Sequence, residues 1–515
     1  MFMNRILTIT AILTAALGLE GCVVNPVTGD RELGLVTEAS ELQLGEQNYF
    51  PMQQSQGGVY DVDPELTAYV NEVGQRLAAV SDRPLPYEFV VLNNGVPNAW
   101  ALPGGKIAIN RGLLTELQSE AELAAVLGHE IVHAAARHSA QQMERGMLLQ
   151  GLVVASAIAT SDTGYGDLAV GGASVGAQLI NQAYGREAEL ESDKYGMRYM
   201  SAAGYDPQGA VSLQETFVRL SEGQQMDWIT GLFASHPPSV LRVQENRRIA
   251  ANLPQGGEIG ADRYQAVLKK TRDAIPAYEA YEEGRKALAE KDTATAVARA
   301  ETAIGLFPDE ANFYALRGDA RYMDEEYDMA RTNYSSALRR RDDFFYYHLQ
   351  RGLANRQLGN DDEAVTDLES SLRLLPTAPA HYALGTIAEE RGDAERARVH
   401  YEAASGGSGD VANAARSSFV RLDIDENPDR YVSRRCDAGS NGNLIVSLRN
   451  DTTRALAEIG IVIQYTGNDG RQRAVERRYR RSLASGGIAR LDTGLGPYVQ
   501  GSRCPVSVTS VSLEQ

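Results

Sequence analysis

Hydrophobic and polar positions follow three rhythms along this chain, and each predicts its own kind of element. Within residues 120–138, Leu123, Ala124, Leu127 and Ile131 recur at helical spacing with no proline among them, which predicts a buried helix. A second helical stretch covers residues 185–200. There Glu189, Asp193, Gly196 and Met200 share one stripe bordered by Leu190 and Met197, while Glu187, Glu191, Lys194 and Arg198 form an opposite, aqueous stripe. From about 275 to 405 the pattern itself repeats. Gly284, Gly318 and Gly352 stand 34 residues apart, as do Ala296, Ala330 and Ala364, and Pro308 and Pro376 close units two periods apart. Gly385 and Ala397 open a fourth, slightly shorter unit.

Small residues at this period, placed where paired helices touch, resemble tetratricopeptide repeats, which stack into a concave surface for peptides and proteins. A purely structural spacer is the plainer reading. Tyr314, Tyr346, Tyr347 and Tyr382 suit either the groove or the repeat core. After a helix near 409–422 and a break at Asn427-Pro428, the rhythm shortens to two. Residues 443–449, 457–465, 471–479, 488–491 and 505–513 read as strands, with turns at Asn450-Asp451 and Asn468-Asp469-Gly470. The predicted fold is α+β and multidomain. Its parts are a leader at 1–22, a mainly helical domain with a small sheet at 23–255, a linker helix at 256–274, an α-solenoid at 275–425 and a β-sandwich at 430–515. Residues 148–181, rich in Ala, Gly and Val, read as a helical hairpin with its tip at Ser161–Asp167, either a lid or ordinary core.

Chemistry enters with His129-Glu130-Ile131-Val132-His133. On a helix, positions i and i+4 share a face, so two imidazoles can bind one metal while Glu130 reaches a water on it. This is the spacing of a zinc metallopeptidase; a satisfied pair of buried histidines is the bland alternative. Two acids on the apolar stripe of the downstream helix are costly to bury unless they meet a cation. Glu189 is therefore the expected third ligand, and Asp193 the expected acceptor for the N–H of His129. The register Glu187 with Glu191 competes less well, because its neighbours are charged. His138, five residues past His133, is expected to point away from the site. Three protein ligands leave one position open for water, with Glu130 as general base. Manganese or cobalt could take the same ligands in vitro.

His129–His133 followed by Glu189-x-Glu191-x-Asp193 resembles the HtpX/BepA-like zinc peptidases, relatives of the CaaX prenyl proteases among the gluzincins. Further pieces over residues 22–255 agree: Asn98-Ala99-Trp100-Ala101-Leu102-Pro103-Gly104-Gly105, Arg137-His138, His236-Pro237-Pro238 with Arg242, and Asn25-Pro26-Val27-Thr28-Gly29. Ser192 departs from the usual alanine. The resemblance implies one Zn2+ per chain, and catalytic support from His236 and Arg242 as donors to the oxyanion. His236 could alternatively ligate zinc in a closed, resting state, or be a loop histidine before a Pro-Pro pair. An edge strand through Asn98, Ala99 and Trp100 could pair with an extended substrate; simple core packing is the equal alternative for Trp100.

Residues 6–19 are mostly apolar, uncharged and too short to span a bilayer, and follow a short basic start, as in an export signal. Cys22, after Leu19-Glu20-Gly21, resembles a bacterial lipobox, with Glu20 unusual there. Lipidated Cys22 would anchor the chain, and Val23 in place of aspartate favours the outer membrane and a periplasmic location; a plain cleaved signal is the alternative. The two remaining cysteines, Cys436 and Cys504, form a disulfide or stay as free thiols. A net charge of −18 excludes nucleic acid as an expected partner. Residues 471–481 are locally basic, suited to acidic partners, to phospholipid headgroups, or to a solvated strand face. These features predict an envelope zinc endopeptidase with clients held by the repeats, and the resemblance implies that those clients are unfolded or misassembled outer-membrane proteins. An assembly chaperone or adaptor with weak or gated peptidase activity is the alternative.

Overall fold

The computed structural model describes residues 22–145, 184–223, 230–407, 409–440, 442–467, 469–496 and 504–514. The leader at 1–21 and the hairpin expected within 148–181 lie outside the described residues. The chain divides into two compact units, residues 1–326 with 336–344, and residues 327–335 with 345–515.

The first unit begins with a small hairpin, β1 (Cys22–Val24) against β2 (Arg31–Leu33), followed by α1 (Glu38–Ser55) and α2 (Pro64–Ala78). Strands β3 (Glu88–Leu92), β4 (Ala99–Leu102) and β5 (Lys106–Asn110) form a sheet of order β3-β5-β4, with β3 parallel and β4 antiparallel to β5. The short α3 (Arg111–Glu116) leads into α4 (Glu120–Ala135), every residue of which is buried. Ser119 caps α4 by accepting a bond from the Glu122 N–H, and Glu122 in turn accepts from the Gln118 N–H at 2.7 Å. Leu123, Leu127 and Ile131 of α4 share one core with Val70, Val73 and Leu77 of α2, all fully buried. Around α4 lie α5 (Arg186–Ala202), α6 (Gln208–Gly223), α7 (Thr230–Ser235) and α8 (Val240–Ala250). Residues 256–274, expected as a linker helix, hold two short helices, Ala261–Val267 and Lys269–Asp273, and contribute Tyr264 to this core, where its hydroxyl donates to Leu114 O at 2.7 Å.

The period of 34 appears as helix pairs. In the first unit α9 (Ile275–Ala289) pairs with α10 (Thr293–Leu306); α11 (Ala311–Met323) and α12 (Tyr327–Leu338) follow along the chain. In the second unit α13 (Phe345–Gln357) pairs with α14 (Asp361–Leu374), and α15 (Ala378–Glu390) with α16 (Ala394–Ser405). The repeated glycine marks where the two helices of a pair meet: a Cβ at Gly352 would lie 2.9 Å from Leu368 Cγ. Tyr347 and Tyr314 are buried, so these two tyrosines fill the repeat core.

In the second unit α17 (Asp410–Asp423) packs Val420 onto a sandwich of two three-stranded sheets. One has order β10-β7-β6 and the other β11-β8-β9. The strands are β6 (Val432–Ala438), β7 (Leu444–Asn450), β8 (Leu456–Thr466), β9 (Gln472–Tyr479), β10 (Ile488–Asp492) and β11 (Val506–Leu513). Cys436 of β6 is bonded to Cys504, just ahead of β11. Of the described helices, none is long and apolar enough to cross a membrane.

Candidate metal centre

Helix α4 carries His129, Glu130 and His133 in the middle of the first unit's core, and α5 lies against it with no side chain between. A Cβ at Gly128 would sit 3.1 Å from Gly196 O, and one at Gly196 would sit 3.0 Å from His129 N. Only glycine allows this approach, which sets Glu189 opposite the two histidines. His236 arrives from the loop after α7, its N–H bonded to Leu232 O at 2.7 Å.

Four side chains converge. His133 Nε2 is 3.0 Å from His129 Nε2, and His236 Nδ1 is 3.3 Å from His129 Nε2 and 2.9 Å from Glu189 Oε1. Glu189 also lies 3.4 Å from His133 Nε2 and 3.5 Å from His129 Nε2. One donor atom from each of His129, His133, Glu189 and His236 falls within 4.8 Å of all the others, and all four residues are buried. Donors about 2.0–2.1 Å from a tetrahedral zinc are spaced by roughly 3.3 Å, so this set fits that ion. Glu130 stands beside them, with Oε1 3.6 Å from His236 Nε2. Its Oε2 is buried without a hydrogen-bond partner among the described residues, as expected of a carboxylate aimed at a bound species.

The electrostatics suit a cation. Burial alone would lower the pKa of His129, but the Glu189 and Asp193 carboxylates outweigh it and raise it to about 9. Burial holds His133 well below the usual histidine value. Burial pushes Glu189 upward, yet His236 and His129 bring it well below the usual carboxylate range. Glu130 is raised, chiefly by burial. Carboxylates that stabilise a proton on His129 would equally stabilise a metal in its place.

Supporting residues fix the donors. Asp193 Oδ1 lies 2.9 Å from His129 Nδ1, which leaves Nε2 facing the cluster. Arg242 Nε and Nη2 both donate to Asp193 at 2.7 Å, while Nη1 lies 2.8 Å from Glu189 Oε2. This corrects the expectation for Arg242: its guanidinium is spent on two carboxylates and positions them, leaving no free fork for an oxyanion. His138 needs a second correction. Its Nδ1 lies 2.9 Å from His133 Nδ1, and its Nε2 lies 3.4 Å from Glu191 Oε1. Arg137 adopts a left-handed backbone, φ 62°, which ends α4 and turns His138 back toward it. Glu191 is accordingly half-buried instead of aqueous. It accepts from Asn25 Nδ2 at 3.3 Å, and Asn25 also donates to Glu32 at 2.8 Å, so the turn after Cys22 reaches the metal centre's surroundings.

The expected substrate strand lies in β4, the edge of its sheet. Asn98 O accepts from the Asn110 N–H at 2.8 Å, and Ala99 is fully buried. Trp100 packs edge-on to Tyr49 with centroids 6.1 Å apart and donates Nε1 to Gln56 Oε1 at 3.2 Å, which is core packing. Tyr184 carried no signal in the sequence beyond standing next to Gly185. Its ring stacks on His133 at 3.9 Å and its hydroxyl meets Ser139 Oγ at 2.9 Å. Beside Glu130 and His236, Val126, Met197, Leu213 and Phe217 line an apolar pocket.

Residues 64–250 match the family model described as Peptidase family M48, and this span contains every residue of the cluster. The beta-barrel assembly-enhancing protease of Yersinia pestis is 30% identical over 207 residues, covering 39% of this chain and 40% of the relative. The mitochondrial metalloendopeptidase OMA1 of Schizosaccharomyces pombe is 36% identical over 194 residues, covering 37% of this chain and 53% of the relative. The chain thus spans about half or less of the length of these relatives. Among solved structures, the Arabidopsis OM64 TPR domain covers 23% of this chain and 98% of its own, at 24% identity and a TM-score of 0.23.

Proposed function

We propose that this chain is a zinc-dependent endopeptidase of the bacterial cell envelope, with Glu130 as general base. In this reading it cleaves unfolded or misassembled outer-membrane proteins presented by its helical repeats. The observation that carries this reading is the buried four-donor cluster with Glu130 beside it, whose Oε2 has no hydrogen-bond partner among the described residues. His129, His133 and Glu189 would hold the ion. Zinc there would polarise a scissile carbonyl and lower the pKa of a water from 15.7 toward about 7. Glu130 would take a proton from the attacking water and return it to the leaving amine; burial raises its pKa, which favours its holding that proton in transit. Asp193 and Arg242 keep His129 and Glu189 aimed inward. His236 lies among the donors, so a substrate carbonyl reaches the centre only where His236 gives way, which makes the site gated at rest.

The domain limits and the location belong to the same proposal. Residues 23–255 act as peptidase, 275–425 as the recruiting repeat and 430–515 as an accessory β-domain, with lipidated Cys22 anchoring the chain at the outer membrane from the periplasmic side. The similarity to a beta-barrel assembly-enhancing protease supports this setting. The test uses residues 23–515 as wild type and as Glu130→Gln, with zinc per chain and casein cleavage measured for both. One zinc in each with cleavage only in wild type is expected. One zinc and no cleavage in either would favour the adaptor reading, and no zinc would overturn the ligand set.

A further inference from the structure

The sandwich of the second unit has two unlike sides. On one, β6 and β11 meet: Cys436 is bonded to Cys504, and Arg434 Nε donates to Val506 O at 2.9 Å. On the other, β9 and β10 are each the last strand of their sheet, and Arg477 Nε spans from β9 to Thr493 O at 3.0 Å. The first side is closed covalently, and the second is left open.

The charge of the domain is gathered on that open side. Residues 430–515 hold 13 arginines against 7 carboxylates, a net of +6, whereas the whole chain carries −18, so residues 1–429 carry −24. Within 471–490 alone there are 7 arginines and one carboxylate, Glu476, again a net of +6. Arg478 and Arg480 share Glu458, and Arg473 pairs with Asp469. Arg471, Arg481 and Arg490 are exposed, and their guanidiniums make no ion pair among the described residues. Ile488, at the start of β10, is 67% exposed, which for a large apolar side chain beside arginines is a second signal.

We infer that the β9–β10 side of this domain docks on an anionic phospholipid surface. Guanidiniums bind phosphate oxygens in pairs, and several of them on one side of a domain sum their attraction to a plane of negative headgroups. An exposed isoleucine among them inserts at the boundary between headgroups and acyl chains. Arg477 also donates to Glu476 O at 3.0 Å, so its guanidinium spans the gap between the two edge strands, where an added strand would approach. The observations therefore favour a bilayer over an acidic protein strand. The surface is independent of the metal centre and of the anchor at Cys22.

The experiment is sedimentation of residues 23–515 with vesicles of phosphatidylcholine alone, or with phosphatidylglycerol added. Binding to the anionic vesicles only, weakening as salt shortens the Debye length, is expected. The variant Arg471→Glu, Arg481→Glu, Arg490→Glu should lose about tenfold or more in vesicle affinity, since each reversal turns an attraction into a repulsion. Its melting temperature reports the fold. Should that variant fail to fold, the pair Arg481→Gln, Arg490→Gln carries the same expectation at smaller size. Equal binding to neutral vesicles, or anionic binding untouched by the folded variants, would overturn the proposal. Retention on heparin without vesicle binding would also overturn it, in favour of a soluble polyanion.

Discussion

His138 Nδ1 lies 2.9 Å from His133 Nδ1, so a histidine outside the motif fixes the ring orientation of one inside it. A partner at Nδ1 favours the tautomer and ring orientation in which His133 offers Nε2 to a metal, and His138 supplies that partner. Partners of this kind typically account for 10–100-fold in metal affinity. His138→Ala should therefore weaken zinc binding by about that factor, read by competition with a chelating dye. Chelator-treated wild type and variant should melt within a few degrees of each other, which separates loss of positioning from loss of fold.

Close packing of α4 on α5 predicts a different failure. Gly196→Ala places a Cβ 3.0 Å from the backbone nitrogen of His129, where no flexible atom can yield. The helices must separate, at a cost of about 1–3 kcal/mol. A lowered melting temperature in metal-free protein, together with weakened zinc binding, is the expected result. Unchanged values for both would show that the two helices are not held at this distance.

The fourth helix pair should respond to acid. His381 Nδ1 and His400 Nδ1 are 3.1 Å apart, and burial holds both below the usual 6.5. For His400, His381 and Arg396 depress it further and Glu369 opposes them. A histidine with a lowered folded pKa stays neutral in the fold while the unfolded chain takes up protons. The stability it permits is complete above the unfolded value of 6.5 and is lost as pH falls toward the lowered folded one. Melting of the repeat region, followed between about pH 7 and about pH 5, should fall, and His400→Asn should flatten the slope.

Reduction addresses the β-domain. The Cys436–Cys504 bond closes a loop with a sequence separation of 68, for which chain entropy gives about 4 kcal/mol. The double variant Cys436→Ser, Cys504→Ser should unfold its β-domain at a clearly lower denaturant concentration. Zinc content and casein cleavage should not change, because the metal centre lies in the other unit.

How much of this was legible depended on whether a side chain's neighbours lay along a regular element. Glu189 and Asp193 stand out because α5 is uninterrupted and its stripe is apolar. Glu191 was misread as aqueous because its partner, His138, returns through the left-handed turn at Arg137, which no periodicity encodes. Arg242 announces a charge but not its target; only the packing of α8 on α5 brings it to Asp193. Of the strands that carried no signal, β3 and β6 escaped for opposite reasons. In β3 four of five residues are buried, so no alternation marks it. In β6 Arg434 interrupts the alternation by standing across from Leu448 of β7 while reaching Val506 O. The strands of β7–β11 alternate more cleanly and were readable to within a residue or two.

The turn from Asn25 to Glu32 has a consequence for maturation. Asn25 is almost fully buried, joined to Glu191 of α5, while Glu32 accepts from Gln141 beyond α4 at 2.7 Å. The few residues that follow Cys22 thus act as a wedge between the two stretches that bear the metal donors. Under the proposed anchoring at Cys22, a leader cut a few residues too late would do more than free the chain. It would remove that wedge, and faulty processing would register as a loosened catalytic centre.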